Sequence, residues 1–193
     1  MPLLAHSVSQ TSEYDLRPSA NFEKAGVDDW LEISRPTMKV VNDIFDLVHP
    51  ALYESGKKAL DRLGDDDLTK EASEKWESVF TGISVISNRR TKPHTDHFGS
   101  HCWFDLIVSL GSCLNAWLEF PELGLRLRYR PGTVIAFTGN LLTHTVNDWG
   151  EGDRLCYAFF MRSEILKKFK LEDVGWMTID EYCEEREWDQ ENS

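Results

Sequence analysis

Between Val79 and Met161 the chain breaks into seven short segments rich in β-branched and aromatic residues: VFTGISVIS (79–87), HCWFDLIVSL (101–110), CLNAWLEF (113–120), GLRLRYR (124–130), GTVIAFTG (132–139), LLTHTV (141–146) and RLCYAFFM (154–161). Turn signals such as LGS, PELG, RPG and DWGEGD separate them. Gly, Pro, Asn and Asp supply the backbone angles and local bonds that reverse a chain. Many short strands at this spacing predict an antiparallel barrel or jelly roll, not a parallel sheet. No internal repeat is evident.

The flanks read as helices, which makes the class α+β. Residues 1–28 are polar and weakly patterned, an expected arm or irregular lead-in. A helix is expected from Arg35: Pro36 suits a first turn, and Met38, Val41, Ile44, Phe45 and Val48 recur at helical spacing. Pro50 ends or kinks it, and Ala51 to Leu63 reads as a second helix. Gly64 is then a stop, and Asp65-Asp66-Asp67 reads as a solvated acidic loop. Past the strands, SEILKKF and TIDEYCEER are helical, with Thr178 as N-cap and Glu181 completing a capping box. A chain of 193 residues holds one core comfortably and two poorly. The expected organisation is one domain over 1–193, with helical support in 1–78, the β core in 79–162 and a helical tail in 163–193.

Charge and cysteine usage narrow the function classes. A net charge of −12 argues against loose, charge-driven binding to nucleic acid, though it leaves room for a local basic rim. No apolar run approaches membrane-spanning length. The opening MPLLAHSVSQTSEYD lacks a basic stretch followed by an apolar one, which argues against secretion. Cys102, Cys113, Cys156 and Cys183 form no CxxC pair, so reduced intracellular thiols are expected, not a disulfide framework or zinc ribbon.

The stretch NRRTKPHTDHFG (88–99) poses the chemical question. His94 and Asp96 are two apart, so on extended chain both side chains point to one face, as a metal requires. A lone His-x-Asp is frequent by chance. A mononuclear oxygen-activating iron takes two His and one carboxylate on one triangular face and keeps its other positions open. His144, in LLTHTV, is the candidate third ligand, and Arg154, ten residues later, can grip a carboxylate bidentately. His-x-Asp, a distant His and an Arg ten residues on is the spacing of iron(II)/2-oxoglutarate dioxygenases. There, 2-oxoglutarate and O2 fill the open positions and the arginine anchors the far carboxylate. His94, His97 and His101 form a competing zinc trio, but they lack helical spacing and a nearby cysteine. His6 and His49 read as surface or capping residues.

HTDHFGSHCWFDLIVSLG, FPELGLRLRYRPGTVIAFTGNLLTH and GDRLCYAFFMR, with WMT at 176–178, resemble the TET/JBP family of nucleic-acid-modifying dioxygenases in the compact form seen in basidiomycete fungi. The likeness spans roughly residues 80–177 and is loose in the helical N-terminal part. It implies a double-stranded β-helix (jelly-roll) core and a need for Fe(II), 2-oxoglutarate and O2. The implied reaction hydroxylates the methyl group of 5-methylcytosine, in one or successive steps, on a base flipped out of methylated DNA. An intracellular, nuclear location follows from that substrate. Residue by residue, His94, Asp96 and His144 match the iron ligands and Arg154 the arginine holding the 2-oxoglutarate side-chain carboxylate. Arg89 matches an arginine near the other carboxylate and the base, and Phe160 an aromatic residue that stacks on the base. Strand parity agrees: Arg154, Cys156, Ala158 and Phe160 share one face. A plain core role for Phe160 remains the alternative.

Two features depart from that pattern. The common Arg-x-Ser reads Arg154-Leu155-Cys156, which weakens a hydrogen bond to the cosubstrate. The residue reading the base edge is open among Asn88, Asp105 and His97. Arg89, Arg90, Lys92, Arg126, Arg128 and Arg130 are candidates for a basic rim, although the last three alternate as on a solvated face. Competing functions are N6-methyladenine demethylation, small-molecule hydroxylation on the same barrel, and a non-catalytic binding module, which the intact His/Asp/His and Arg set argues against. Nothing points to a membrane or a protein partner.

Overall fold

The computed structural model describes residues 6–7, 16–97 and 99–191. Two short strands, β1 (His6–Ser7) and β2 (Leu16–Arg17), pair antiparallel ahead of a 3₁₀ turn at Ala20–Glu23. Three helices follow: α1 (Val27–Val48), α2 (Pro50–Gly64) and α3 (Lys70–Glu74). Eight strands form the centre: β3 (Gly82–Ser87), β4 (Thr91–His94), β5 (Asp105–Gly111), β6 (Trp117–Phe120), β7 (Leu125–Arg128), β8 (Val134–Phe137), β9 (His144–Val146) and β10 (Arg154–Phe160). Helices α4 (Ser163–Lys168) and α5 (Ile179–Glu191) close the chain. No helix among the described residues is long and apolar enough to cross a membrane.

The eight strands make two four-stranded antiparallel sheets, ordered β3-β10-β5-β8 and β4-β9-β6-β7. This is the jelly roll that the strand pattern predicts, in the α+β double-stranded β-helix form that the resemblance implies. Strand β10 sits inside the first sheet, between β3 and β5, and its alternation divides the two cores. Leu155, Tyr157 and Phe159 pack with the helices, against Leu31, Met38 and Phe45 of α1 and Leu52 of α2. Cys156 and Ala158 face the other sheet, among Leu118, Phe120 and Phe137. Gly56 of α2 lets helix and sheet close: a Cβ there would lie 2.6 Å from both Met161 Cε and the Val79 carbonyl oxygen. Trp30 on α1 donates its indole N–H to the Tyr157 hydroxyl at 2.8 Å.

The first helix starts at Val27, two turns before the expected Arg35, and Pro36 lies inside it. Pro36 is exposed, so the carbonyl it leaves without an amide donor faces water, and the cost of an interior proline is reduced. Leu31 and Ser34 extend the buried stripe of Met38, Val41 and Phe45 backwards, which holds those turns on the sheet. The irregular lead-in contains β1, β2 and the 3₁₀ turn; its residues 1–5 and 8–15, and the side chain of His6, lie outside the described residues. Strand β4, unmarked in the pattern, is an edge strand, where Pro93 removes no needed ladder donor. Pro50 opens α2 at its first turn, and His49 is buried, not a surface group. The Asp65–Asp67 run is a turn in which Asp66 Oδ1 accepts the Leu68 N–H at 2.9 Å. The capping box forms as read: Thr178 N–H donates to Glu181 Oε2 at 2.7 Å and Glu181 N–H to Thr178 Oγ1 at 3.2 Å.

Candidate active site

His94 on β4 and His144 on β9 are register partners, so their side chains leave one face of the ladder together. Their ring centroids are 4.3 Å apart. Asp96 follows two residues later, just beyond the strand. Its Oδ1 is 3.7 Å from His94 Nε2 and its Oδ2 is 3.7 Å from His144 Nε2. One ligand atom from each of the three lies within 4.8 Å of the others. Among the described residues no other three His, Cys, Asp or Glu side chains converge in this way. His97 and His101 are exposed and outside the group, so the zinc trio does not assemble.

The imidazoles are held in the tautomer a metal needs. His94 Nδ1 lies 2.9 Å from the Lys92 carbonyl oxygen and 3.2 Å from that of His144. His144 Nδ1 is 3.0 Å from the Leu142 carbonyl oxygen. A carbonyl only accepts, so Nδ1 carries the hydrogen and the Nε2 lone pair is left for a metal. Burial holds the His144 pKa below its ordinary value, which keeps the ring neutral at pH 7. Two neutral imidazoles and a carboxylate on one face fit a mononuclear iron(II) with open positions.

These residues open onto a cavity of about 320 Å³, whose other wall is the inward face of β10: Arg154, Cys156, Ala158 and Phe160. Six residue steps along the strand separate Arg154 from Phe160, about 20 Å at roughly 3.3 Å each, so the wall has two distinct ends. At one end Arg154 is 2% exposed. Its Nη1 donates to the Arg89 carbonyl at 2.9 Å, its Nε has no partner, and no carboxylate of the described residues pairs with it. A buried guanidinium lacking a counter-ion costs several kcal/mol, roughly, until an anion arrives. The donor set therefore fits a dicarboxylate such as 2-oxoglutarate, one end on Arg154 and the other toward the metal position. Arg89 is exposed but also lines the cavity.

At the other end, Phe160 lies over Gly82 of the adjacent strand. A Cβ on Gly82 would lie 2.6 Å from ring atoms Cε2 and Cζ, so the ring can occupy the space over this position because it has no side chain. The Arg162 guanidinium carbon is 5.7 Å from the ring centroid. Phe160 is partly exposed to the cavity, whereas Phe159 is fully buried on the opposite face.

Of the three candidates for reading a base edge, only Asp105 lines the cavity. Burial, reinforced by the charge of Asp96, pushes its carboxyl well above the usual range. Asn88 serves the backbone instead. With φ of 46° it accepts the Arg154 N–H at 2.8 Å and donates to Asp153 at 2.9 Å. His97 is exposed and not on the cavity wall. Cys156, in place of serine, has its Sγ 3.1 Å from the buried Tyr129 hydroxyl, and burial raises its pKa, so it is a neutral thiol. The basic rim splits in two. Arg90 and Lys92 alternate with the lining residues Arg89 and Thr91 and are exposed. Arg126 pairs with Glu119 at 3.1 Å, and it and Arg128 cover Trp117 at 4.3 and 4.8 Å, a solvated outer face. Arg130 is likewise exposed.

The sequence reading missed Gly82, Tyr129, Asn140 and Arg162. The roles of Gly82, Tyr129 and Asn140 come from partners tens of residues away, Arg162 stands two residues from the ring it covers, and no local pattern marks any of them.

The family model of Tet/JBP, the oxygenase domain of the 2OGFeDO superfamily, matches residues 16–163. No curated protein matches the chain. Among solved structures, NgTET1 in complex with 5mC DNA is similar, with a TM-score of 0.58 at 15% identity over 95% of this chain and 68% of that one.

Proposed function

Because the chain belongs to the Tet/JBP family of 2-oxoglutarate- and iron-dependent oxygenases, we propose that it oxidises the methyl group of a methylated nucleobase, 5-methylcytosine in DNA, to the hydroxymethyl form and onward. The observation that carries this reading is the two-ended wall of one cavity. An uncompensated buried arginine stands at one end, an aromatic ring at the other, and the His94, Asp96 and His144 donors open onto the same space.

In this reading His94, Asp96 and His144 hold Fe(II), and Arg154, assisted by Arg89, binds 2-oxoglutarate. Bound iron and 2-oxoglutarate supply the oxidising chemistry with O2, releasing succinate and CO2. The protein's own part is placement. Arg154 fixes the cosubstrate's orientation through a charge-assisted contact. Phe160 offers a flat apolar face on which a base can stack. The cavity is too enclosed for a stacked duplex, so the base must leave the helix to reach it. Arg89, exposed yet on the cavity wall, puts positive charge at the opening of an acidic protein, where phosphates would pass. We take residues 1–193 as one dioxygenase domain of the compact, basidiomycete type, acting inside the cell and in the nucleus, where its substrate lies.

The direct test is mass spectrometry of nucleosides from methylated duplexes incubated with protein, Fe(II), ascorbate and 2-oxoglutarate. Loss of 5-methylcytosine with a matching gain of its hydroxymethyl form, together with any further oxidised forms, is expected. Loss of N6-methyladenine instead would move the substrate to that base. Succinate release with no change in any base would move it to a small molecule.

A further inference from the structure

Asp96 lies beyond the end of β4, on a segment with no regular structure to hold it. Its main chain is nevertheless gripped on both sides. The Asp96 N–H donates to the Gly139 carbonyl at 2.8 Å, and Asn140 Nδ2 donates to the Asp96 carbonyl at 2.8 Å. The gripping residues belong to the turn between β8 and β9, itself closed by Leu141 and Leu142 N–H groups on the Thr138 carbonyl at 3.1 and 3.0 Å. On its far side Asp105 Oδ2 accepts the Gly139 N–H at 3.2 Å. The same turn leads into β9, and its Leu142 carbonyl orients the His144 ring.

Resting on the metal-site reading above, the geometry points to the Gly139–Asn140 turn as the positioning element of the iron carboxylate, with Asn140 as its side-chain clip, Gly139 as its spacer and Asp105 as its anchor. None of these groups is one of the three metal donors. Asn140 fixes the Asp96 backbone, so the carboxylate meets the two imidazoles without first losing the freedom of a loop. Gly139 is required for space: a Cβ there would lie 2.4 Å from Asp105 Oδ2 and 2.6 Å from Asp96 Oδ2. A side chain at 139 would push the ligand carboxylate out of place or displace its anchor. One turn thus sets two of the three donors, Asp96 through its backbone and His144 through its ring.

The test is Mn(II) affinity by calorimetry on the full chain, with the electron paramagnetic resonance spectrum of the bound Mn(II) as a second readout. The variants are Asn140→Ala, which deletes the clip, and Gly139→Ala, which removes no hydrogen-bonding group but adds the methyl. Groups that orient a metal's ligands are typically worth about 10–100-fold in affinity. Both variants are therefore expected to bind Mn(II) at least about tenfold more weakly and to alter its spectrum. The metal-free Asn140→Ala protein should melt as the parent does. Asn140→Ala with unchanged affinity and spectrum overturns the proposal and leaves the triad reading standing. A parent protein that takes up no Mn(II) overturns both.

Discussion

His94 and His144 face each other across the β4–β9 ladder, and each turns its Nδ1 to a main-chain carbonyl. The ladder that builds the second sheet therefore also fixes two imidazoles in register and tautomer. What the rings do for the fold is small beside this. The His94 side chain is 40% exposed, and His144 makes an edge contact with Phe137 at 4.8 Å.

Truncating either histidine should therefore separate function from stability. His94→Ala is expected to cost under about 0.5 kcal/mol, as for an ordinary surface change. His144→Ala is expected to cost somewhat more, because it vacates a buried place. Both should abolish metal uptake and turnover. Calorimetric Mn(II) titration beside a thermal melt checks this, and metal uptake that survived in either variant would end the triad assignment.

Arg154 gives a prediction with two signs. Arg154→Ala should raise the 2-oxoglutarate requirement more than tenfold, since a charge-assisted contact is worth about 1.5–3 kcal/mol. Arg154→Met, which fills similar space without charge, should leave the ligand-free protein as stable as the parent or more so, because an uncompensated buried charge is removed. Scanning fluorimetry with and without 2-oxoglutarate reads both effects. The parent should be stabilised by 2-oxoglutarate and the Met variant should not. A Met variant that melts far below the parent would make Arg154 a structural residue.

Buried His49 sets an acid limit on stability. Burial lowers its pKa, against a weaker opposing effect from the Cys102 carbonyl, 3.3 Å from Nε2. As pH falls through about 6.5, the unfolded chain takes up this proton before the folded one does. The unfolded state then binds more protons, so stability is present above that pH and declines below it. His144 is shifted in the same direction and adds to the decline. Urea midpoints of the metal-free protein should drop between pH 7.5 and 5.5, and His49→Gln should drop less. An equal drop would assign the loss to other groups.

The parts of the molecule legible in the sequence are those with a local signature. Seven strands show as short β-branched and aromatic runs between turns, and Thr178 and Glu181 declare their cap three residues apart. The metal donors and Arg154 show because the chemistry demands particular residue types at particular separations. Where long-range packing decides, the sequence is silent. Pro36 looks like a helix start because nothing local says that its carbonyl partner faces water. Strand β4 is invisible because an edge tolerates Pro93. The Asn140 clip reaches across 44 residues to Asp96. The wish for serine two residues after Arg154 is answered by a thiol engaged with Tyr129, from a strand hairpin with no motif of its own.

Adjacent phenylalanines on β10 supply a matched pair for the base-stacking question. Phe159 is 0% exposed and packs 5.7 Å from Phe80 among the helices, while Phe160 faces the cavity over Gly82. Phe159→Ala should behave as a core truncation, costing about 3–5 kcal/mol, with activity per folded molecule unchanged. Phe160→Ala should do the reverse. Stacking of a base on an aromatic ring is worth roughly 1–3 kcal/mol, so oxidation of methylated DNA should fall about tenfold to a hundredfold. The 2-oxoglutarate affinity should not change, because Arg154 lies at the other end of the wall, and succinate release uncoupled from base oxidation should persist. Gly82→Ala offers a check that leaves the ring in place chemically but lifts it off the sheet. It should depress DNA oxidation in the same way as Phe160→Ala. A Phe160→Ala protein that melts far below the parent yet oxidises DNA normally per folded molecule would return Phe160 to the core and remove the stacking platform from the site.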